Sequence, residues 1–238
     1  MLASLPLRNQ FIMKKPVLIS LLLGIVFLAA CGGNSNNATS KGSPEVKKGV
    51  DPIPDNEIAV IELENSAAYG TIKIELYSNI APKMVEQFKK LVSDHFYDGT
   101  AIHRIDPNLG IIQGGDPNTK GGNPATWGMG NSKYPNAPAE FSDLPYERGT
   151  LGAARTSDIN TANCQWFITL KRQPIFDKRY TVFGRVIDGI KNAEVIMNAP
   201  IQKRDCTPND QDPACSRPAD KVMIKFVTLQ PRAGLAAP

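Results

Sequence analysis

Residues 102–116 read IHRIDPNLGIIQGGD, and two polar side chains, Arg104 and Gln113, interrupt otherwise apolar runs. A guanidinium and an amide set among isoleucines are costly to bury unless their hydrogen bonds are satisfied. Three chemistries fit that pattern: a loop cradling phosphate, an arginine ion-paired with an acid such as Asp106, or the floor of a pocket for something else. The Gly-rich continuation QGGDPNTKGGNP lacks the G-x-x-x-x-G-K-[ST] spacing and opens no strong helix to supply an N-terminal dipole. Phosphate is therefore disfavoured. A hydrolase using Cys164 with His103 would rest on two residues without a motif. The chain has only two histidines, His95 and His103, at no metal-ligand spacing, so no metal is expected.

The elements that must hold these residues are short. Of 238 residues, 42% are hydrophobic and 21% charged, as in ordinary globular proteins, and 19 glycines and 19 prolines punctuate many β-like runs. EIAVIELEN (57–65) and YGTIKIELY (69–77) alternate well enough to predict two strands joined as a hairpin. A helix is predicted over 82–93, with Val85, Phe88, Leu91 and Val92 on one stripe and Pro82 in the first turn. Further strands are expected at 101–105, 110–113, 150–154, 165–170, 180–187 and 221–229. A second helix is expected near 189–198, with Ile190, Ala193, Val195, Ile196 and Met197 as buried candidates. Many short strands and two helices point to a mainly β architecture, a barrel closed on itself with helices over its ends.

The N-terminus belongs to a different logic. From Met13 the chain reads MKKPVLISLLLGIVFLAAC, two lysines and then a short apolar run ending at a cysteine. That run has the dimensions of a signal-peptide core rather than of a membrane span. LAAC (28–31) resembles the bacterial lipoprotein signal, which implies that residues 1–30 are removed, with Met13 the true start, and that Cys31 is lipidated. A plain secretory signal cut near the same place is the competing reading. Gly32 after the cysteine, in that lipoprotein class, favours the outer membrane. Residues 31–55 are expected to be the lipidated cysteine and a flexible tether, 56–230 the folded domain and 231–238 a tail. The leader carries three of the 27 basic residues and none of the 23 acidic ones, so the mature chain is nearly neutral. Neither that balance nor any basic, aromatic-interleaved stripe supports a nucleic-acid partner.

Six segments stand in order along the domain: APKMVEQFKKL (81–91), FYDGTAIHRI (96–105), IIQGGD (111–116), GTLGAART (149–156), CQWFITL (164–170) and YTVFGRVIDG (180–189). Together they resemble the cyclophilin family of peptidyl-prolyl cis/trans isomerases, especially its bacterial branch, over roughly residues 56–230. The resemblance implies a closed eight-stranded antiparallel β-barrel capped by two α-helices, proline-containing polypeptides as substrates, and no cofactor. It implies that Arg104 is the catalytic donor and that Gln113 orients it and contacts the substrate. Ile111, Phe167 and Phe176, with Leu109 as a wall, match the proline slot, while Arg155, Thr156 and Gln165 match further substrate contacts. The segment between Arg104 and Gln113 is one residue longer than in common members, which leaves open whether Leu109 or Gly110 takes the place of an aromatic wall. Tyr180 stands where many members have histidine. Ile175 stands where cyclosporin-sensitive members carry tryptophan, so weak cyclosporin binding with retained activity is expected. A non-catalytic module binding proline segments, as a chaperone or scaffold, is the alternative, and a monomer is the default. In an oxidising compartment Cys206 and Cys215, which bracket a polar loop, are expected to pair rather than remain free, contributing roughly 2–3 kcal/mol. Cys164 is then an unpaired, small buried hydrophobe.

Overall fold

The structure is a computed structural model that describes residues 45–203 and 213–232. The expectations for the leader, for Cys31, for Cys206 and for residues 233–238 fall outside the described residues. Alternating apolar residues form β1 (Glu57–Leu63) and β2 (Thr71–Leu76), paired antiparallel from Ile58↔Glu75 to Glu62↔Thr71. Their connection is longer than a tight hairpin and holds one helical turn, α1 (Ser66–Tyr69). Helix α2 (Pro82–Ser93) buries Met84, Val85, Phe88, Leu91 and Val92. Its N-cap residue, Ala81, offers no side-chain acceptor. The Glu140 carboxylate replaces it from a distant loop, accepting the Lys83 and Met84 backbone N–H groups at 3.1 and 2.9 Å. A carboxylate there satisfies orphan donors and complements the helix dipole.

The chain continues through β3 (Ala101–Ile102), β4 (Arg104–Asp106), β5 (Ile111–Gly114), β6 (Thr150–Ala153), β7 (Trp166–Thr169), β8 (Val182–Asp188), α3 (Ile190–Met197) and β9 (Val222–Pro231). The expected eight strands are therefore nine, because the run predicted at 101–105 divides at His103. Its first half pairs with β9 (Ala101↔Met223, Ile102↔Val222) and its second with β5 (Arg104↔Gln113 to Asp106↔Ile111). The sheet order is β3-β9-β1-β2-β8-β6-β7-β5-β4, so it begins and ends on residues adjacent in sequence and forms a nearly closed barrel. The bend lets one stretch of chain serve both ends of the sheet, which leaves little unpaired edge.

Ile61, Ile72, Ile74, Leu76, Ile105, Ile112, Leu151, Trp166, Ile168 and Phe183 fill the main core together with the α2 stripe. Helix α3 adds Ala193 and Ile196, with Ile190 and Met197 packed at the margin; Val195, a sequence candidate for burial, is half exposed.

The end of the expected tether docks onto the domain. The Lys47 N–H donates to Phe141 O, and Asp143 N–H returns a bond to Lys47 O, both at 2.9 Å. The Lys47 ammonium donates to Ile80 O at 2.6 Å and to Asn79 O at 3.4 Å. Asn79 bonds the backbone of Asp51 and Ile53, and Asp55 takes an ion pair from Lys89 at 2.7 Å. Side chains rather than apolar burial hold this strap, so composition alone reads as flexible. At the other end, Arg232 N–H donates to Asn56 O at 2.8 Å, extending the domain past residue 230.

Candidate active site

Strand alternation sorts the residues of interest onto one face. Arg104 lies opposite Gln113, Gln113 opposite Phe167, Phe167 opposite Gly152, and Gly152 opposite Val182. Residues directly opposite in antiparallel strands share a face, so this is one row across five strands. The intervening Ile105, Ile112, Ile168 and Leu151 point into the main core. Alternation thus resolves the cost of an arginine among isoleucines: Arg104 is half-buried on the outer face and hydrogen-bonded.

One end of the row is polar. Arg104 Nη2 donates to Asp106 Oδ2 at 2.7 Å and Nη1 to Gln113 Oε1 at 3.4 Å. The Gln113 amide donates to Gln165 Oε1 at 3.1 Å, and Gln165 donates to the carbonyls of Gly128 and Gly130 at 3.0 and 2.9 Å. Two readings of Arg104 held apart at the sequence level, an ion pair with Asp106 and a guanidinium steadied by Gln113, are thus both present.

The other end is apolar. Phe167 is met by the rings of Tyr146 (5.6 Å, stacked), Phe176 (5.3 Å) and Tyr180 (5.6 Å, edge-on). Ile111, Tyr77, Ile80 and Val182 complete this second cluster, with Leu109 packed against it. Gly110 sits in a left-handed turn at φ +61°, where a side chain would be strained and would strike Lys171. Leu109, rather than Gly110, packs against this cluster. Gly152 is required by close approach, since a Cβ there would stand 2.4 Å from Phe167 Cζ and 2.7 Å from Tyr146 Oη. Ile175 is 53% exposed and is not part of the cluster.

Arg155 bridges the rim, donating to Thr156 O and Arg179 O at 2.8 Å each with its guanidinium 4.4 Å from the Tyr180 ring centre. Beside the row is a cavity of about 200 Å³ lined by Gln113, Met129, Ala154, Arg155, Thr156 and Gln165 among others. The arrangement sets a fixed cation and three amide or backbone groups next to an aromatic slot. It suits an extended peptide with one compact apolar ring.

Three contributors escaped the sequence reading. Tyr146 lies in LPYERGT, outside any recognised segment, and only its stacking on Phe167 reveals it. Met129 lines the cavity from a position outside every motif, and Ala154 from within GTLGAART (149–156), where nothing singles it out. Elsewhere, Cys164 is buried and free, and burial pushes its thiol up to about 12. Cys215 is disulfide-bonded.

Comparison with known proteins adds independent findings. Residues 60–227 match the family model described as cyclophilin type peptidyl-prolyl cis-trans isomerase/CLD. A probable peptidyl-prolyl cis-trans isomerase of Brucella suis is 38% identical over 163 residues, covering 67% of this chain and 79% of that protein. A peptidyl-prolyl cis-trans isomerase of Acinetobacter baylyi is 35% identical over 62% of this chain and 78% of its own. Among solved structures, a cyclophilin type isomerase of Cryptosporidium parvum, crystallised in the presence of the dipeptide Ala-Pro, shares 27% identity. It aligns with a TM-score of 0.57 over 73% of this chain and 98% of its own. With its motifs in order, its strands in a nearly closed barrel and its outer face carrying a cation beside an aromatic slot, the chain belongs to the cyclophilin family of peptidyl-prolyl cis-trans isomerases.

Proposed function

We propose that the chain isomerises X-Pro bonds of exported proteins in a bacterial cell envelope, using Arg104 as the donor to the prolyl nitrogen. The observation that carries the reading is the cross-strand row that sets Arg104 and Gln113 beside Phe167. Rotation about an amide costs about 18–20 kcal/mol because the nitrogen lone pair is delocalised. Uncatalysed X-Pro isomerisation takes tens to hundreds of seconds, slow enough to limit folding. Such a reaction needs neither nucleophile nor metal. It needs preferential binding of the twisted amide, whose localised lone pair accepts a hydrogen bond that the planar amide refuses. An acceleration of five decades corresponds to about 7 kcal/mol of such preference.

In this reading Phe167, Phe176, Ile111 and Leu109 hold the proline ring, Gln113 and Gln165 steady the guanidinium, and Arg155 and Thr156 bind the substrate backbone. Tyr180 closes the rim. The decisive test compares wild type with Arg104→Ala by NMR exchange on a proline peptide. A rate for the wild type equal to the uncatalysed one would leave only the non-catalytic binding module. Cyclosporin is proposed to bind weakly because Ile175 offers no tryptophan, and a nanomolar inhibition constant contradicts this.

The envelope assignment rests on the LAAC sequence and the apolar leader: residues 1–30 removed, Cys31 lipidated, and the domain held as a monomer in the periplasm at the outer membrane.

 Incorporation of labelled fatty acid, lost in Cys31→Ser, tests the anchor. Pairing of Cys215 with Cys206 is proposed on the oxidising setting, and mass spectrometry of an unreduced digest checks it.

A further inference from the structure

We infer that Asp106 is a positioning residue for the isomerisation, fixing both the Arg104 guanidinium and the Leu109 wall of the slot through one carboxylate. The inference rests on the assignment of Arg104 as donor to the prolyl nitrogen. Asp106 Oδ2 lies 2.7 Å from Arg104 Nη2, and Oδ1 accepts the Leu109 backbone N–H at 3.0 Å. The Asp106 side chain is 17% exposed against 37% for Arg104, so the acid is the better anchored of the two.

The turn after Asp106 holds the extra residue of this segment. Asp106 caps its start, the Lys171 ammonium donates to Pro107 O at 3.1 Å, and Gln173 donates to Leu109 O. Gly110 then turns the chain back into β5. A carboxylate that binds i+3 backbone in this way selects the local turn. Its second oxygen reaches the arginine two residues earlier on the same face of the strand.

The guanidinium carries five donors in a rigid fork. Asp106 and Gln113 engage different terminal nitrogens, Nη2 and Nη1, and so set the plane of the fork while other N–H groups stay available. A half-exposed arginine otherwise spreads over many rotamers, and fixing one of them before substrate arrives is pre-organisation. A partly exposed ion pair contributes little to global stability. The effect therefore belongs to turnover rather than to melting.

The test measures kcat and KM on a proline peptide by NMR exchange for wild type, Asp106→Ala, Asp106→Asn, Arg104→Lys and the double variant Arg104→Lys/Asp106→Ala. Asp106→Ala is expected to lower kcat about tenfold through the misplaced guanidinium and to raise KM by a few-fold at most through the loosened Leu109 wall, so that the kcat loss dominates and is the quantity compared between backgrounds. Asp106→Asn, which keeps an acceptor for Leu109 N–H and a neutral one for Arg104, is expected to recover most of it. In the Arg104→Lys background, Asp106→Ala is expected to cost less than about twofold, because two groups acting as one are not additive. An equal loss in both backgrounds overturns the inference, as does a lowered melting temperature with unchanged kcat per folded molecule. If Arg104→Ala, measured alongside, turns over like wild type, the assignment of Arg104 itself fails, and that outcome is distinct from the other two.

Discussion

His103 is expected to make the stability of the protein pH-dependent between about pH 4 and 6.5. The imidazole is 6% exposed, and neither ring nitrogen has a hydrogen-bond partner among the described residues. Burial lowers its pKa from 6.5 to about 4; Asp116 and the nearby Ala101 backbone, which stops short of hydrogen-bond geometry, oppose the shift, while the cations of Arg104 and Arg217 reinforce it. The folded value lies below the unfolded one, so between pH 6.5 and 4 the unfolded chain takes up a proton that the native state refuses. Stability is full above about pH 6.5 and falls on acidification, with a slope approaching 1.4 kcal/mol per pH unit. Integrated from pH 7 to 4.5, the loss is on the order of 2 kcal/mol. Asp55, Asp177 and Asp188, whose values are lowered from 3.8, lose their contribution only below that window. Urea unfolding followed by tryptophan fluorescence at several pH values reads the slope directly, and the comparison is with His103→Asn and His103→Phe. Absolute stabilities of the variants will differ because the cavity is refilled differently; the slope between pH 4.5 and 6.5 is the diagnostic. Wild-type and variant curves running parallel across that window would refute the reasoning.

Gly152→Ala places a methyl within 2.4 Å of the Phe167 ring, and such overpacking costs about 1–3 kcal/mol. Displacement of Phe167 should raise KM for proline peptides, and unchanged kinetics would show that the ring yields freely. Lys47→Met keeps the side-chain stem but removes the ammonium from Ile80 O and Asn79 O, with an expected loss of about 1–2 kcal/mol in urea unfolding. Cys164, with its thiol pushed up to about 12, should stay unmodified by a thiol reagent at pH 8 in the native protein and react fully in urea. Rapid labelling of the folded protein would contradict its burial.

Much of this was legible in advance because the signals are local. The α2 stripe, the alternation of β1 and β2, and the ordered motifs carrying Arg104, Gln113 and Phe167 all sit in contiguous stretches. What escaped depends on partners distant in sequence. The split at His103 follows from β9, which no pattern within 101–106 announces. The strap is held by Asn79, Asp143 and Lys89 rather than by its own apolar residues, and Glu140 caps a helix whose own N-cap is an alanine. Tyr146 reaches Phe167 only because β6 offers a glycine between them.

The placement of β9 governs when the enzyme comes into being. Strand β9 lies between β1 and β3, pairing Glu57 with Pro231 and Ala101 with Met223. As the domain folds, β1 keeps an open edge and Ala101–Ile102 lack their partner until Val222–Pro231 has docked. Contacts this distant in sequence make for slow folding, and an unpaired β1 edge is a surface for aggregation. A chain truncated before Val222 would hold Arg104, Gln113, Phe167 and every other residue of the candidate site, yet its barrel would lack the strand that joins β1 to β3. The site thus depends on a strand that contributes none of its side chains.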